Sequence, residues 1–188
     1  KDRLYTSAPK SLARRSAQTA LHQITQALLR WVAPFLSFTA EEAWKIVGNS
    51  DTIFLEKFLE LPTVDDGLLD KWTRLCAIRN VVNKDIENVR ADGKLGSSLQ
   101  AEVTLTAQPE DLALLQSLAD DLKFVLITSA ANAVAGDALT TSVKVSEHAK
   151  CERCWHYRDD VGVTPAPPTI CGRCDSNLYG EGEVRTKA

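Results

Sequence analysis

Between residues 11 and 33 apolar side chains recur every three or four positions: Ala13, Ala17, Leu21, Ile24, Leu28 and Trp31, with Phe35 continuing the series. That period predicts an amphipathic helix from about Ser11 to Ala33, with Arg15, Thr19, His22, Gln26 and Arg30 on its other side. Pro34 ends or kinks it, because proline lacks the N–H a helix interior needs. Thr39 to Glu42 reads as a capping box that opens a short helix through Ala43, Trp44 and Val47, stopped by Gly48 and Asn49. Residues 48–67 read as an acidic connector with an extended piece, TIFLEKF. A longer helix is expected from about Leu68 to Arg90, striped by Leu68, Trp72, Leu75, Val82, Ile86 and Val89, with Cys76 close beside the stripe. Arg79, Asn83, Lys84 and Arg90 lie away from it; Asp92-Gly93 breaks the helix and residues 95–98 form a turn. Together these elements suggest antiparallel helices, the outer part of a bundle.

The period then changes. Glu102 to Thr106 alternates like a half-buried strand, and Pro109 to Asp120 is helical with proline in the first turn. Lys123 to Thr128 and Ser142 to Ser146 are β-rich runs, and AANAVAGDALT between them is either a weak strand or a linker. The expected fold is therefore mainly α: a helical bundle, a small α+β unit, and a cysteine-rich hairpin at the end. The expected domains are residues 1–95, 96–148 and 149–188.

Composition adds little: 188 residues, 44% hydrophobic and 25% charged, describe a globular chain able to bury a core. The net charge of −3 hides a pattern, with +5 over residues 1–30, −6 over 31–70, +3 over 71–100, −5 over 101–149 and zero over 150–188. The basic blocks are compatible with a local polyanion-binding face, although solvated charged faces are the commoner cause of any one block. No apolar run reaches the roughly 18 residues of a membrane span, and the N-terminus lacks a signal layout. The chain has no methionine, so it is expected to be a processed product or a fragment.

Four of the five cysteines form two C-x-x-C pairs, Cys151/Cys154 and Cys171/Cys174, with sixteen residues between the pairs. Two such turns can bite one ion from opposite sides, and the spacing falls in the zinc-ribbon range. Iron in an S4 site is the metallic rival. Two disulfides would suit an exported chain, which the missing signal and the leftover Cys76 disfavour. Four sulfurs leave no open coordination position, so the metal is expected to be structural, joining knuckles spaced by Pro165, Pro167 and Pro168 and supported by Gly172. His148 and His156 are then bystanders. Arg153, Trp155, Tyr157, Arg158 and Arg173 surround the knuckles. Trp155 and Tyr157 read as a mini-core over the metal, or as a ring that stacks on an unpaired base while guanidiniums hold phosphate or base edges; both can hold, since neighbours in a hairpin face opposite ways.

The CERCWHY and ICGRC knuckles, the GEGE tail, and the stretch IRNVVNKDIENVRADGKLGSSLQAEV together resemble the C-terminal part of bacterial isoleucyl-tRNA synthetases. SLARRSAQTALHQITQALLRWVAPFLSFTAEEAW is similar to the helical anticodon-binding domain of that class I group. The resemblance covers nearly the whole chain. It implies a parent that charges isoleucine tRNA through an isoleucyl-adenylate using ATP, and that edits mischarged valine elsewhere. Neither the HIGH nor the KMSKS signature nor a glycine-rich phosphate loop is present, so ATP belongs to absent catalytic domains and this piece is expected to be non-catalytic.

Carried over by motif, Cys151, Cys154, Cys171 and Cys174 match the family's zinc ligands, and Arg153 and Trp155 the knuckle positions placed against the anticodon loop. Arg79, Asn83 and Arg90 match the long-helix motif and Lys94 the basic position after it, facing either RNA or a domain junction. Arg14, Arg15, His22 and Arg30 are candidate phosphate contacts. The proline-rich VTPAPPTI and the acidic Glu152 depart from the family pattern. The expected partners are the anticodon stem-loop of isoleucine tRNA and the remaining domains of the parent; the expected state is a cytoplasmic monomer. Two other classes stand against this: a formamidopyrimidine-type DNA glycosylase, which shares a similar finger but needs an N-terminal proline nucleophile where this chain begins Lys1-Asp2-Arg3, and a zinc-ribbon adaptor using the acidic segments.

Overall fold

A computed structural model of the chain describes residues 2–48, 51–163 and 167–187. Lys1, Asn49 and Pro165, each named above, lie outside the described residues. The chain opens with a single helical turn, α1 (Asp2–Tyr5), followed by α2 (Leu12–Val32). Ser11 caps α2 by accepting a hydrogen bond from Arg14 N at 3.2 Å, which satisfies one of the free amides of the first turn. As the proline predicts, α2 stops at Val32, two residues before Pro34.

The next helix, α3 (Ser37–Ile46), begins earlier than the capping-box reading. Its cap is Leu36, without a side-chain bond, and Thr39 lies inside it. Glu41 turns outward instead: its Oε2 accepts from Thr52 Oγ1 at 3.0 Å and Ile53 N at 2.9 Å. That pins the connector to α3 and nucleates a 3₁₀ turn at Ile53–Leu55 where an extended piece was expected. A small core of Ala33, Ala40, Trp44 and Ile53 closes this corner, with the Arg30 guanidinium 4.5 Å from the Trp44 ring centre.

The apolar stripe read from α2 is largely not core. Its buried positions are Ala13 and Ala27, whereas Ile24 is 60% exposed and Leu28 and Trp31 are 50% exposed. Phe35 and Phe38 beyond it are also open. Apolar side chains at helical spacing on a face with nothing over it form a patch of the kind that marks an interaction surface.

The long helix α4 (Asp66–Ala91) is capped by Asp65, which accepts from Leu68 N at 3.1 Å, and ends at Gly93, where φ of +73° favours glycine. Its buried positions are Leu75, Ile78, Val82 and Ile86. They pack on a three-stranded sheet of β1 (Ala101–Ala107), β2 (Ala130–Ala135) and β3 (Thr140–Val145). The central strand is β1, parallel to β2 (Glu102 opposite Ala130) and antiparallel to β3 (Ala101 opposite Val145). Parallel neighbours need a crossover. Here it is α5 (Pro109–Gln116), a 3₁₀ turn and α6 (Leu122–Leu126). Ala101, Val103, Leu105 and Ala107 alternate inward along β1 and meet Leu115, Leu118, Leu122 and Leu126.

Two expectations in this unit fail. The helix from Pro109 ends at Gln116, well short of Asp120. The run from Lys123 to Thr128 is not a strand: α6 occupies most of it and stops at Ile127, which adopts φ +59°. Leu122 and Leu126, one helical turn apart, bury together against the core, and that tertiary gain overrides the β preference of the run. AANAVA is the strand β2. Among the described residues no helix is long and apolar enough to cross a membrane.

Candidate zinc knuckle and nucleic-acid interface

The last forty residues contain few large apolar side chains, so the cysteines must supply their own core. A two-residue hairpin, β4 (Ala149–Lys150) with β5 (Tyr157–Arg158), frames the first turn. Within it Cys151 N donates to His156 O and Trp155 N donates to Cys151 O, both at 2.9 Å. The second turn leads straight into α7 (Gly172–Tyr179), with Cys171 at the N-cap and Cys174 in the first turn. The two turns are cross-tied: Glu152 N donates to Thr169 O at 3.1 Å, and Cys171 N to Cys151 Sγ at 3.4 Å.

All four cysteines are buried, and their sulfurs lie within 4.8 Å of one another. Cys151 and Cys174 are 3.8 Å apart, Cys154 and Cys171 3.7 Å. A tetrahedral ion with metal–sulfur bonds near 2.3 Å separates its ligands by about 3.8 Å, so the set fits one zinc ion. The protons are otherwise contested: hydrogen bonding to Cys171 drives Cys154 up, and the reciprocal bond drives Cys171 down. One cation at the centre removes that conflict. No disulfide joins any of the five cysteines. This is a structural zinc site.

Around it, Asp160 caps α7 by accepting from Gly172 N at 3.2 Å, and Arg158 grips Asp160 with two bonds of 2.7 and 2.8 Å. The hydrogen bond from Arg158 holds the Asp160 carboxyl below its usual range. The buried ring of the finger is neither Trp155 nor Tyr157 but His156, 5% exposed, edge-on to Phe124 of α6 with centroids 5.6 Å apart. Its Nδ1–H donates to Cys154 O at 3.2 Å. Burial, then the charge of Arg173, pushes its pKa down, so the ring is neutral. Tyr157 is half-buried, and its N–H donates to Ser129 Oγ at 2.6 Å.

Trp155 is 60% exposed with φ +67°, a conformation an L residue adopts only when its surroundings enforce it. Its Nε1–H donates to Glu152 O at 3.1 Å, and Lys150 Nζ stands 5.7 Å from the ring centre. The indole is held at a fixed angle with open surface beside a cation.

The other candidates divide. Arg15, His22, Asn83, Arg90 and Lys94 are exposed, Arg90 pairing with Glu87 at 2.8 Å and Lys94 with Asp92 at 3.2 Å. Such exposed pairs contribute little and open readily. Arg79 is half-buried. Arg30 is committed inward, to Gln26 and to Glu56 at 2.8 Å. Arg14 reaches Ser7 O at 3.5 Å. Arg153 and Arg173 also point into the protein. Arg153 donates to the carbonyls of Tyr5 and Thr6, and Arg173 binds Asp2 and Glu183. Sequence spacing does not show the Asp2 cluster, because Asp2 lies 171 residues from Arg173 and 183 from Arg185.

Residues 1–105 match the family described as the anticodon-binding domain of tRNA ligase, and residues 150–177 match the zinc finger found in FPG and IleRS. The chain belongs to the anticodon-binding family of tRNA ligases and carries that finger. Along its whole length it is similar to isoleucine–tRNA ligases: 59% identical to that of Cupriavidus pinatubonensis, 57% to that of Burkholderia multivorans and 56% to that of Thiobacillus denitrificans. It spans about a fifth of the length of these relatives, 20 to 21%. The helical match sets aside the glycosylase alternative, which would share the finger alone.

Proposed function

We propose that the chain is the tRNA-docking part of an isoleucine–tRNA ligase, binding the anticodon stem-loop of isoleucine tRNA while domains outside it carry out ATP-dependent aminoacylation. The observation that carries this is Trp155: a large ring exposed on a knuckle whose backbone the metal fixes, while the neighbouring His156 is buried against Phe124. A stacked base gains about 1–3 kcal/mol from an aromatic platform regardless of its identity. Lys150 beside the ring supplies a phosphate contact. Arg15 and His22 on α2, and Asn83, Arg90 and Lys94 along α4, are exposed positions suited to backbone phosphates. Bound zinc supplies the rigidity that keeps the indole aimed.

The open face of α2 and α3, with Ile24, Leu28, Trp31 and Phe38, fits a second assignment: the surface on which the rest of the parent ligase packs. The working division is a helical anticodon-binding part over 1–95, a junction over 96–148 and the zinc finger over 149–188, although the buried face of α4 packs on the sheet of the junction. The parent acts as a cytoplasmic monomer. Gel shift with an anticodon stem-loop of isoleucine tRNA against duplex DNA of equal charge tests the proposal. RNA-selective binding that weakens with salt supports it, and equal affinity for duplex DNA contradicts it.

A further inference from the structure

Both metal-binding turns are spelled C-x-R-C: Cys151-Glu152-Arg153-Cys154 and Cys171-Gly172-Arg173-Cys174. In each, the arginine directly precedes the second sulfur, and both guanidiniums reach the same distant stretch of chain. Arg153 donates to Thr6 O at 2.8 Å and Tyr5 O at 3.1 Å. Arg173 donates to the two carboxylate oxygens of Asp2 at 3.1 and 2.7 Å and to Thr6 Oγ1 at 3.0 Å. Behind these arms, Asn177 of α7 accepts from Ala8 N at 3.2 Å, and Glu183 accepts from Ser7 Oγ at 3.0 Å. The tail turn closes directly on the segment: a Cβ at Gly182 would sit 2.8 Å from Ala8 Cβ. Thr6 and Ser7 are buried as a result.

We propose that the two knuckle arginines form a zinc-dependent clasp on Asp2–Ala8, the segment that leads into α2. The position of each guanidinium follows from the backbone of its turn, and each turn is held by two sulfurs on one ion. Without the ion the turns keep only a few hydrogen bonds between them, Glu152 N to Thr169 O, Cys171 N to Cys151 Sγ and Gly172 N to Asp160, and the spacing of the two arginine roots is no longer fixed by a shared centre. The segment cannot hold itself, since α1 is four residues long and one helical turn is too short to be stable alone. Metal occupancy therefore fixes the direction from which the chain enters the helical part, besides aiming Trp155. The consequence for tRNA docking rests on the function proposed above; the clasp itself does not.

Hydrogen exchange on the complete zinc-loaded chain tests it. Chelation, or the pair Arg153→Met with Arg173→Met, is expected to raise exchange at Thr6 and Ala8 by at least about tenfold, the loss of charge-assisted bonds, while β1 and the buried half of α4 stay protected. Asp2→Asn, which changes no residue of either knuckle, is expected to do the same in part with one zinc retained, and decides the matter should the double variant lose its metal. Unchanged protection of this segment in Asp2→Asn and after chelation overturns the clasp. So does loss of stem-loop RNA binding in the arginine variants with the segment still protected. A Trp155→Ala chain that binds RNA normally sinks the docking function and leaves the clasp standing.

Discussion

The Arg173 guanidinium and the Asp2 carboxylate meet at 2.7 Å across a sequence separation of 171 residues. Arg185 joins the same carboxylate, and Arg173 and Arg185 lie 4.6 and 3.6 Å from the centre of the Phe124 ring. Glu183 accepts from Arg173 Nε at 2.6 Å. Phe124 thus sits between two cations and edge-on to His156, joining the finger to the α+β unit. Removing the ring should be costly: Phe124→Ala is expected to lower stability by about 3 kcal/mol, read as a fall in the urea midpoint with zinc content unchanged.

Burial alone would raise the Asp2 pKa, but the hydrogen bonds and charge of Arg173, with Thr6 and Arg185, outweigh it and hold the group at about 2. A carboxylate depressed on folding contributes stability that is fully present above its unfolded value near 4 and is lost as pH falls toward 2. The stability difference between the native chain and Asp2→Asn should therefore be flat from pH 5 to 8, narrowing only below about 4. Paired urea titrations across that range check it; a difference that changes between pH 6 and 8 would point to another group.

Cys174→Ser removes one of four ligands and leaves the finger without a closed site. Zinc content should fall below one per chain, and the exchange protection of residues 149–163 and 167–180 should collapse. The core of Val82, Val103 and Leu105 is separate from the finger and should keep its protection.

The α2 face and the sheet core should respond oppositely to mutation. Leu28→Ser, on the open face, is expected to change the stability of this chain by less than about 0.5 kcal/mol. Leu105→Ala, fully buried in β1, should cost about 2–5 kcal/mol. Thermal unfolding of both variants decides whether the face is unpartnered here.

Trp155→Ala should weaken stem-loop binding about tenfold to a hundredfold, equivalent to one lost stack, with zinc retained. Trp155→Phe keeps a π face and should recover most of the affinity. If the alanine variant releases zinc, the ring is part of the finger's core and not a platform.

Local signals made most of the architecture legible. The start of α2 near Ser11, the stop at Gly93 and the paired knuckles all act within a few residues, so sequence spacing records them. What failed was decided at long range. The KFVLIT run is as apolar as a strand, and only the burial of Leu122 with Leu126 under the sheet makes it helical. The capping box read over Thr39 to Glu42 fails because α3 already begins at Ser37, and the tie of Glu41 to Thr52 and Ile53 lies across a connector. The apolar spacing of α2 was read correctly as amphipathic, but spacing cannot say whether the partner surface is in the same chain. Arg153 and Arg173 read as candidate RNA contacts, and the structure gives both guanidiniums partners within the chain. The repeat of C-x-R-C was visible, yet nothing local tells that Asp2 and Thr6 receive both arginines.

The most direct measurement is the affinity of a labelled anticodon stem-loop of isoleucine tRNA for the zinc-loaded chain and for the same chain after chelation, with elemental analysis of both. One zinc per loaded chain, and binding that drops by more than about tenfold on stripping, is the result predicted by a metal-fixed platform. A chain that holds no zinc with its thiols joined as disulfides, or one that binds RNA equally well stripped and loaded, would contradict it.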